Sequence, residues 1–120
     1  MIDHLILHVR DAARSKQFFL AALQPLGIGV AMEFGGSVGL GAGGKPVLWI
    51  APGATHGNSH LAFTAPDRKT VDAFHRAAVA AGGKDNGGPG LRPHYHASYY
   101  AAFVLDPDGN NIEAVCHAPA

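Results

Sequence analysis

The apolar positions of this chain follow two periods that alternate in a fixed order. Residues 2–9 are rich in branched side chains and alternate loosely, the two-residue period of a strand. Asp11 suits a helix N-cap, and residues 12–23 carry Phe18, Phe19, Ala22 and Leu23 as one apolar stripe at helical spacing. Pro25 and Gly27 end that helix. Three short runs follow at 29–34, 37–40 and 46–50. The pairs Gly35-Gly36 and Gly43-Gly44 separate them, so they predict three strands of a meander. Residues 52–58 form a polar, glycine-containing linker.

Beyond the linker the order starts again. Residues 59–64 predict a strand, and Asp67 caps a helix that runs to about residue 81, with Val71, Phe74, Ala78 and Ala81 on one face. Gly82-Gly83 stops it. Residues 84–90 are too glycine-rich to predict a regular element. Residues 94–105 and 111–117 predict strands joined by the turn Asp106-Pro107-Asp108-Gly109. The halves also align as sequence, DHLILHVRDAARSKQFFLAALQPLG against SHLAFTAPDRKTVDAFHRAAVAAGG, with His4 opposite His60. The chain therefore reads as one α+β domain, residues 1–120, built from two tandem βαβββ modules at 1–54 and 55–120.

Composition narrows the function classes. The chain is 48% hydrophobic and 15% charged, enough to bury a core without staples. Its formal net charge is zero, which offers no electrostatic footprint for nucleic acid or an anionic membrane, and no apolar run approaches a membrane span. Residues 1–11 lack the basic-then-apolar order of a signal peptide, and Cys116 is the only cysteine, so no intrachain disulfide is possible. A reducing, cytoplasmic setting is the expectation.

Histidine adds chemistry to this outline, because eight are present and neutral imidazole is the commonest metal ligand. If the modules pack about a pseudo-twofold axis, His4 and His60 enter one cavity from symmetric strands. Glu113 is the only acid inside an apolar strand of the second half, flanked by Ile112, Val115 and Cys116, and such a carboxylate needs a partner. Two histidines and one carboxylate form an open facial set for a divalent ion, with Zn, Mn, Fe, Ni and Co all compatible. Glu113 is also the candidate catalytic group. His8 shares a face with His4 by strand parity. Cys116 lies off the face of Glu113 and is expected in the core. In an extended 91–100 segment, Arg92, His94, His96, Ser98 and Tyr100 would share one donor-rich face. Arg92, His94, Tyr100 and His8 are therefore the candidate substrate contacts.

HLILHVRD near the start, HLAF in the second half and DPDGNNIEAV near the end resemble the vicinal oxygen chelate superfamily, which contains glyoxalases, bleomycin-resistance proteins and extradiol dioxygenases. The resemblance implies paired βαβββ modules in a cupped mixed sheet with the helices outside. It implies metal ligands at His4, His60 and Glu113, and commonly a homodimer whose modules share a site. The glyoxalase pattern has a further glutamate in the last strand of the first module, where this chain has Val47-Leu48-Trp49-Ile50. The fosfomycin-transferase pattern has a threonine where this chain has Ile6. The dioxygenase pattern would draw on Tyr99, Tyr100, His94 and His96. The function expected is a metal-dependent lyase- or isomerase-like enzyme that chelates paired oxygens of a small substrate and stabilises an enolate-like anion. The alternative is a bleomycin-resistance-like module that sequesters a small molecule without chemistry.

Overall fold

A computed structural model describes residues 1–120. The first module runs β1 (Leu5–Val9), α1 (Ala12–Leu23), a 3-10 turn (Gln24–Leu26), β2 (Gly29–Phe34), β3 (Ser37–Gly41) and β4 (Leu48–Pro52). The second runs β5 (His60–Thr64), α2 (Arg68–Ala80), β6 (Lys84–Leu91), β7 (Tyr100–Leu105) and β8 (Asn111–Cys116). The sheets have the same plan, β1-β4-β3-β2 and β5-β8-β7-β6, each with one parallel pair and two antiparallel pairs. The duplication seen in sequence is thus a duplication of topology.

Both helices start where an aspartate can accept from the exposed N–H groups of the first turn. Asp11 accepts from Arg14 N at 3.1 Å, and Asp67 accepts from Thr70 N at 2.8 Å. The apolar stripes then meet a single core. Phe18, Phe19, Leu23, Val71, Phe74 and Ala78 pack against the inward residues of both sheets, including Leu7, Val9, Ile50, Val104 and Ile112. Strand parity decides what stays outside: Leu7 and Val9 are buried while Ile6 and His8 are exposed. Each sheet therefore gives one face to the helices and leaves the other open. Cys116 joins the core, as its parity predicts.

Two expectations fail in the second half. Residues 84–90, expected to be irregular, lie within β6. This strand pairs only with β7, and at a sheet edge glycine and Pro89 are tolerated because one side needs no ladder partner. Its register shifts on both sides of Gly87, whose φ of 145° supplies the bulge. Conversely, residues 92–99 are not the start of a strand. Arg92 N donates to Tyr99 O at 2.7 Å, Tyr95 N to Arg92 O at 2.9 Å and Tyr99 N to His96 O at 3.2 Å, closing a hairpin loop. A donor-rich strand face made of Arg92, His94, His96, Ser98 and Tyr100 therefore does not form.

Candidate functional site

The turn between β7 and β8 fixes the strand that carries Glu113. Asp106 is buried, and its Oδ1 accepts from the backbone of Asp108 (3.0 Å) and of Asn110 (2.7 Å), while its Oδ2 accepts from Asn110 Nδ2 at 2.9 Å. Burial pushes the Asp106 carboxyl above its ordinary range, and these donors oppose that push. Asn110 Oδ1 in turn accepts from Ser59 N at 3.0 Å, just before β5. Asp108 reaches the first module: its Oδ1 accepts from Arg10 Nη1 at 3.0 Å, and Arg10 Nη2 donates to Thr55 O at 3.0 Å. The DPDGN stretch is thus a clamp that ties β8, β5 and the end of β1 together.

From that clamp β8 places Glu113 on the open face of the second sheet, opposite Ala62 of β5 and Phe103 of β7. The side chain is only 2% exposed, whereas His60 at the start of β5 is 52% exposed. His60 Nε2 lies 2.8 Å from Glu113 Oε1. The Tyr99 hydroxyl donates to Glu113 Oε2. Both carboxylate oxygens are therefore engaged, and His60 gives the cluster its open side. The Arg92 guanidinium lies 5.2 Å from the Phe103 ring centroid. Its terminal nitrogens donate to Gly90 O at 2.8 Å and Gly88 O at 2.9 Å, so Arg92 holds the β6 lip closed over Phe103.

Tyr99 is itself fixed by an aromatic cluster. Its ring meets Tyr95 edge-on at 4.8 Å, His96 at 5.4 Å and His117 at 5.2 Å. The His96 and His117 rings are 24° from coplanar and 5.0 Å apart, with His96 Nε2 only 2.7 Å from His117 Nδ1. The centroid separation is the nitrogen contact plus two ring radii, so the rings meet end to end through a hydrogen bond rather than face to face. Ser98 N donates to His96 Nδ1 at 3.0 Å, which leaves the His96 proton on Nε2 and makes His117 Nδ1 the acceptor.

Burial, and then the hydrogen bond to Glu113, push the Tyr99 phenol up from 10.0 to about 12. The folded state therefore holds a proton that the unfolded chain releases near pH 10. That contribution to stability is complete below about pH 10 and is lost as pH rises through about 12. Phenolate absorbance should show one component near pH 12 that disappears in Tyr99→Phe and moves lower in Glu113→Gln. A Tyr99→Phe difference spectrum centred near pH 10 would contradict this environment.

The structure brings together only part of the predicted set. His60 and Glu113 meet. His4 does not join them: its Nδ1 contacts Asp3 Oδ1 at 2.8 Å, and it lines a cavity on the first sheet with His8 and Trp49. No group of three or more His, Cys, Asp or Glu side chains lies close enough within one chain to hold an ion. Tyr100 points to the helix side, where its hydroxyl donates to Asp72 Oδ1 at 2.6 Å; that bond and burial raise its pKa. His94 is exposed and packs on Tyr95 at 4.2 Å. Tyr99, and not the Tyr100 that the sequence reading named as a substrate contact, is the tyrosine that meets Glu113. Deciding between them required knowing where the loop ends and β7 begins.

His60 and Glu113 suit a metal in their chemistry and spacing. Neighbouring ligands about 2.1 Å from an ion and at right angles to each other are about 3 Å apart, close to the 2.8 Å seen here. They supply one nitrogen and one carboxylate oxygen; a third protein ligand is not at hand in the same chain.

Duplicated βαβββ modules with an imidazole–carboxylate pair on an open sheet face define a paired-module α+β protein with a polar cluster on its second sheet. More particularly, the chain belongs to the Glyoxalase/Bleomycin resistance protein/Dioxygenase superfamily, whose family model matches residues 1–114. A glyoxalase/bleomycin resistance protein from Albidiferax ferrireducens T118 is 35% identical, with 98% of each chain covered and a TM-score of 0.83. The fold is shared by a glyoxalase/bleomycin resistance protein/dioxygenase family enzyme from Burkholderia phytofirmans PsJN (21% identity, 98% of each chain, TM-score 0.75). It is also shared by a lactoylglutathione lyase from Agrobacterium tumefaciens at 20% identity, over 97% of this chain and 92% of that one, with a TM-score of 0.70. No curated protein matches the chain significantly. Neither helix is long and apolar enough to cross a membrane.

Proposed function

We propose that this protein is a metal-dependent enzyme of the superfamily, acting on a small substrate through two adjacent oxygens. The observation that carries this reading is the pair itself: a buried carboxylate and a half-exposed imidazole 2.8 Å apart on an open sheet face. His60 and Glu113 would hold a divalent ion of the Zn, Mn, Fe, Ni or Co group, and His4 of a second copy would complete the set in a homodimer. An ion held there would supply Lewis-acid polarisation to two adjacent substrate oxygens, the chemistry that stabilises an enolate-like anion. The chain's own residues do the rest. Tyr99 holds Glu113 Oε2 and so aims Oε1 at the opening. Phe103 sits opposite Glu113 on β7, and Arg92 ties the edge of β6 to that ring. Taking a metal requires the proton that His60 Nε2 directs at Glu113 to move to Nδ1, which leaves Nε2 free as a ligand.

The test is elemental analysis of purified protein beside His60→Ala, Glu113→Gln and His4→Ala. About one ion per chain, lost in each variant, supports the reading. Co-expressing His4→Ala with His60→Ala should restore metal to a mixed dimer where neither variant alone retains it. Wild-type protein that takes up none of Zn, Mn, Fe, Ni or Co ends the metal reading.

A second reading draws on the same cluster. Because His60 and Tyr99 already satisfy both oxygens of Glu113, the site is stable without a metal, as a bleomycin-resistance-like sequestration module would need. Ligand binding that survives loss of His4, His60 and Glu113 in turn would favour it.

A further inference from the structure

We infer that His96 and His117 are positioning residues for Glu113: as a neutral, hydrogen-bonded imidazole pair they hold Tyr99 against its carboxylate, and uptake of one proton by the pair lets Tyr99 go. This deepens the reading above, and it rests on that reading only in taking Glu113 as the working group of the site. The contacts that carry it lie in the loop 92–99 and at the end of β8.

Two side-chain hydrogen bonds tie that loop to β8 and the residue after it: Tyr99 to Glu113, and His96 Nε2 to His117 Nδ1 at 2.7 Å. The Tyr99 ring stands edge-on to both imidazoles, 5.4 Å from His96 and 5.2 Å from His117. Tyr99 N also donates to His96 O at 3.2 Å, so these two residues share a backbone contact as well as a ring contact. His117 is the first residue past β8. The imidazole pair thus braces the ring whose hydroxyl holds Glu113 Oε2.

The protons of this chain of bonds run one way. Ser98 N can only donate, so it makes His96 Nδ1 an acceptor and leaves the proton on Nε2, which in turn requires a bare Nδ1 on His117. A further proton has no place in the pair. On His117 Nδ1 it would face the Nε2 proton of His96, donor against donor. On His96 Nδ1 it would face the Ser98 N–H. Ser98 is held two residues from His96 in a tight loop, whereas His117 is exposed past the strand end, so the His96–His117 bond is the one that opens. Both imidazoles are exposed, and solvent supplies the proton directly. The pairing is therefore present above the range in which imidazole takes up a proton, about pH 6–7, and is lost as pH falls through it. The titratable and charged groups around the pair are few. His94, Tyr95 and Arg92 belong to the same loop. From β8 comes Glu113, reached through Tyr99, with His60 of β5 beyond it.

The test uses metal-free protein, so failure of the metal reading leaves its results standing. Nitrogen NMR of the imidazoles at about pH 8 should show His96 and His117 both with their protons on Nε2. The Tyr99 Cζ signal, assigned by its loss in Tyr99→Phe, reports the hydrogen bond to Glu113. Between about pH 8 and about pH 5 it should shift in one step, whose midpoint matches those of His96 and His117 within about 0.3 pH units. In His117→Ala the Tyr99 signal should already stand at its acid position at about pH 8 and show no step. His117→Gln keeps an acceptor at that place and takes up no proton, so Tyr99 should hold its neutral position throughout. His75→Gln, which removes the α2 imidazole paired with Asp85, should leave the step unchanged. The inference is overturned if His96 carries its proton on Nδ1, or if Tyr99 stays still while both imidazoles titrate. A Tyr99 step that survives in His117→Ala and follows His60 instead overturns it too.

Discussion

Glu113→Gln is expected to weaken metal affinity by at least about 100-fold while leaving the fold in place; even partners one shell out from a metal typically contribute 10- to 100-fold. The substitution keeps shape and volume, so the buried space beside Phe103 stays filled. The introduced amide can still accept from Tyr99 through its carbonyl oxygen, and its NH2 group can donate to His60 once the imidazole proton moves to Nδ1. The variant thus retains two hydrogen bonds and loses only the negative charge. Charge is what a divalent ion requires of a carboxylate ligand, so metal content and affinity should collapse together. Competition with a chelator measures the affinity, and a melting temperature near the wild-type value shows that folding is intact. A Glu113→Gln protein that is folded and still fully loaded would remove Glu113 from the metal site.

The second large effect concerns stability. Asp106→Ala should cost about 3 kcal/mol or more, since it strips the acceptor from three donors in a mostly buried turn, each worth about 1–3 kcal/mol when left unpaired. Asp106→Asn should cost less, because one oxygen remains for the backbone donors while the new amide opposes Asn110 Nδ2. Chemical denaturation of the three proteins gives the order directly. Equal stability of Asp106→Ala and wild type would show that the turn holds without its carboxylate. By contrast, Lys16→Ala should change stability by less than about 1 kcal/mol, although Lys16 Nζ lies 2.5 Å from Glu33 Oε1, because both groups face solvent.

Asp106 also shows why DPDGN was legible as a turn and not as a clamp. Proline, glycine and aspartate in that order announce a reversal through local backbone preference alone. That Asp106 is buried, and that Asp108 binds Arg10 from the other module, depends on residues ninety-eight positions apart in the chain. Glu113 stood out because an acid among apolar strand residues needs a partner, and the structure supplies two: His60, which sequence set beside it, and Tyr99, which sequence raised only through the dioxygenase pattern.

What the sequence determined by itself follows from short-range periodicity. The two modules, their helix starts at Asp11 and Asp67, the shared face of His4 and His8 on the first strand and the place of Cys116 in the core all come from spacing and capping over a few residues. Tertiary structure alone decided the remainder. It made β6 a strand, because an edge position excuses its glycines and proline from the demands of a central ladder. It curled residues 92–99 into a loop, which turned Tyr99 toward Glu113 and Tyr100 toward Asp72. It also set His4 apart from His60, because matching positions in a repeat share a strand register but come together in space only where module packing brings them.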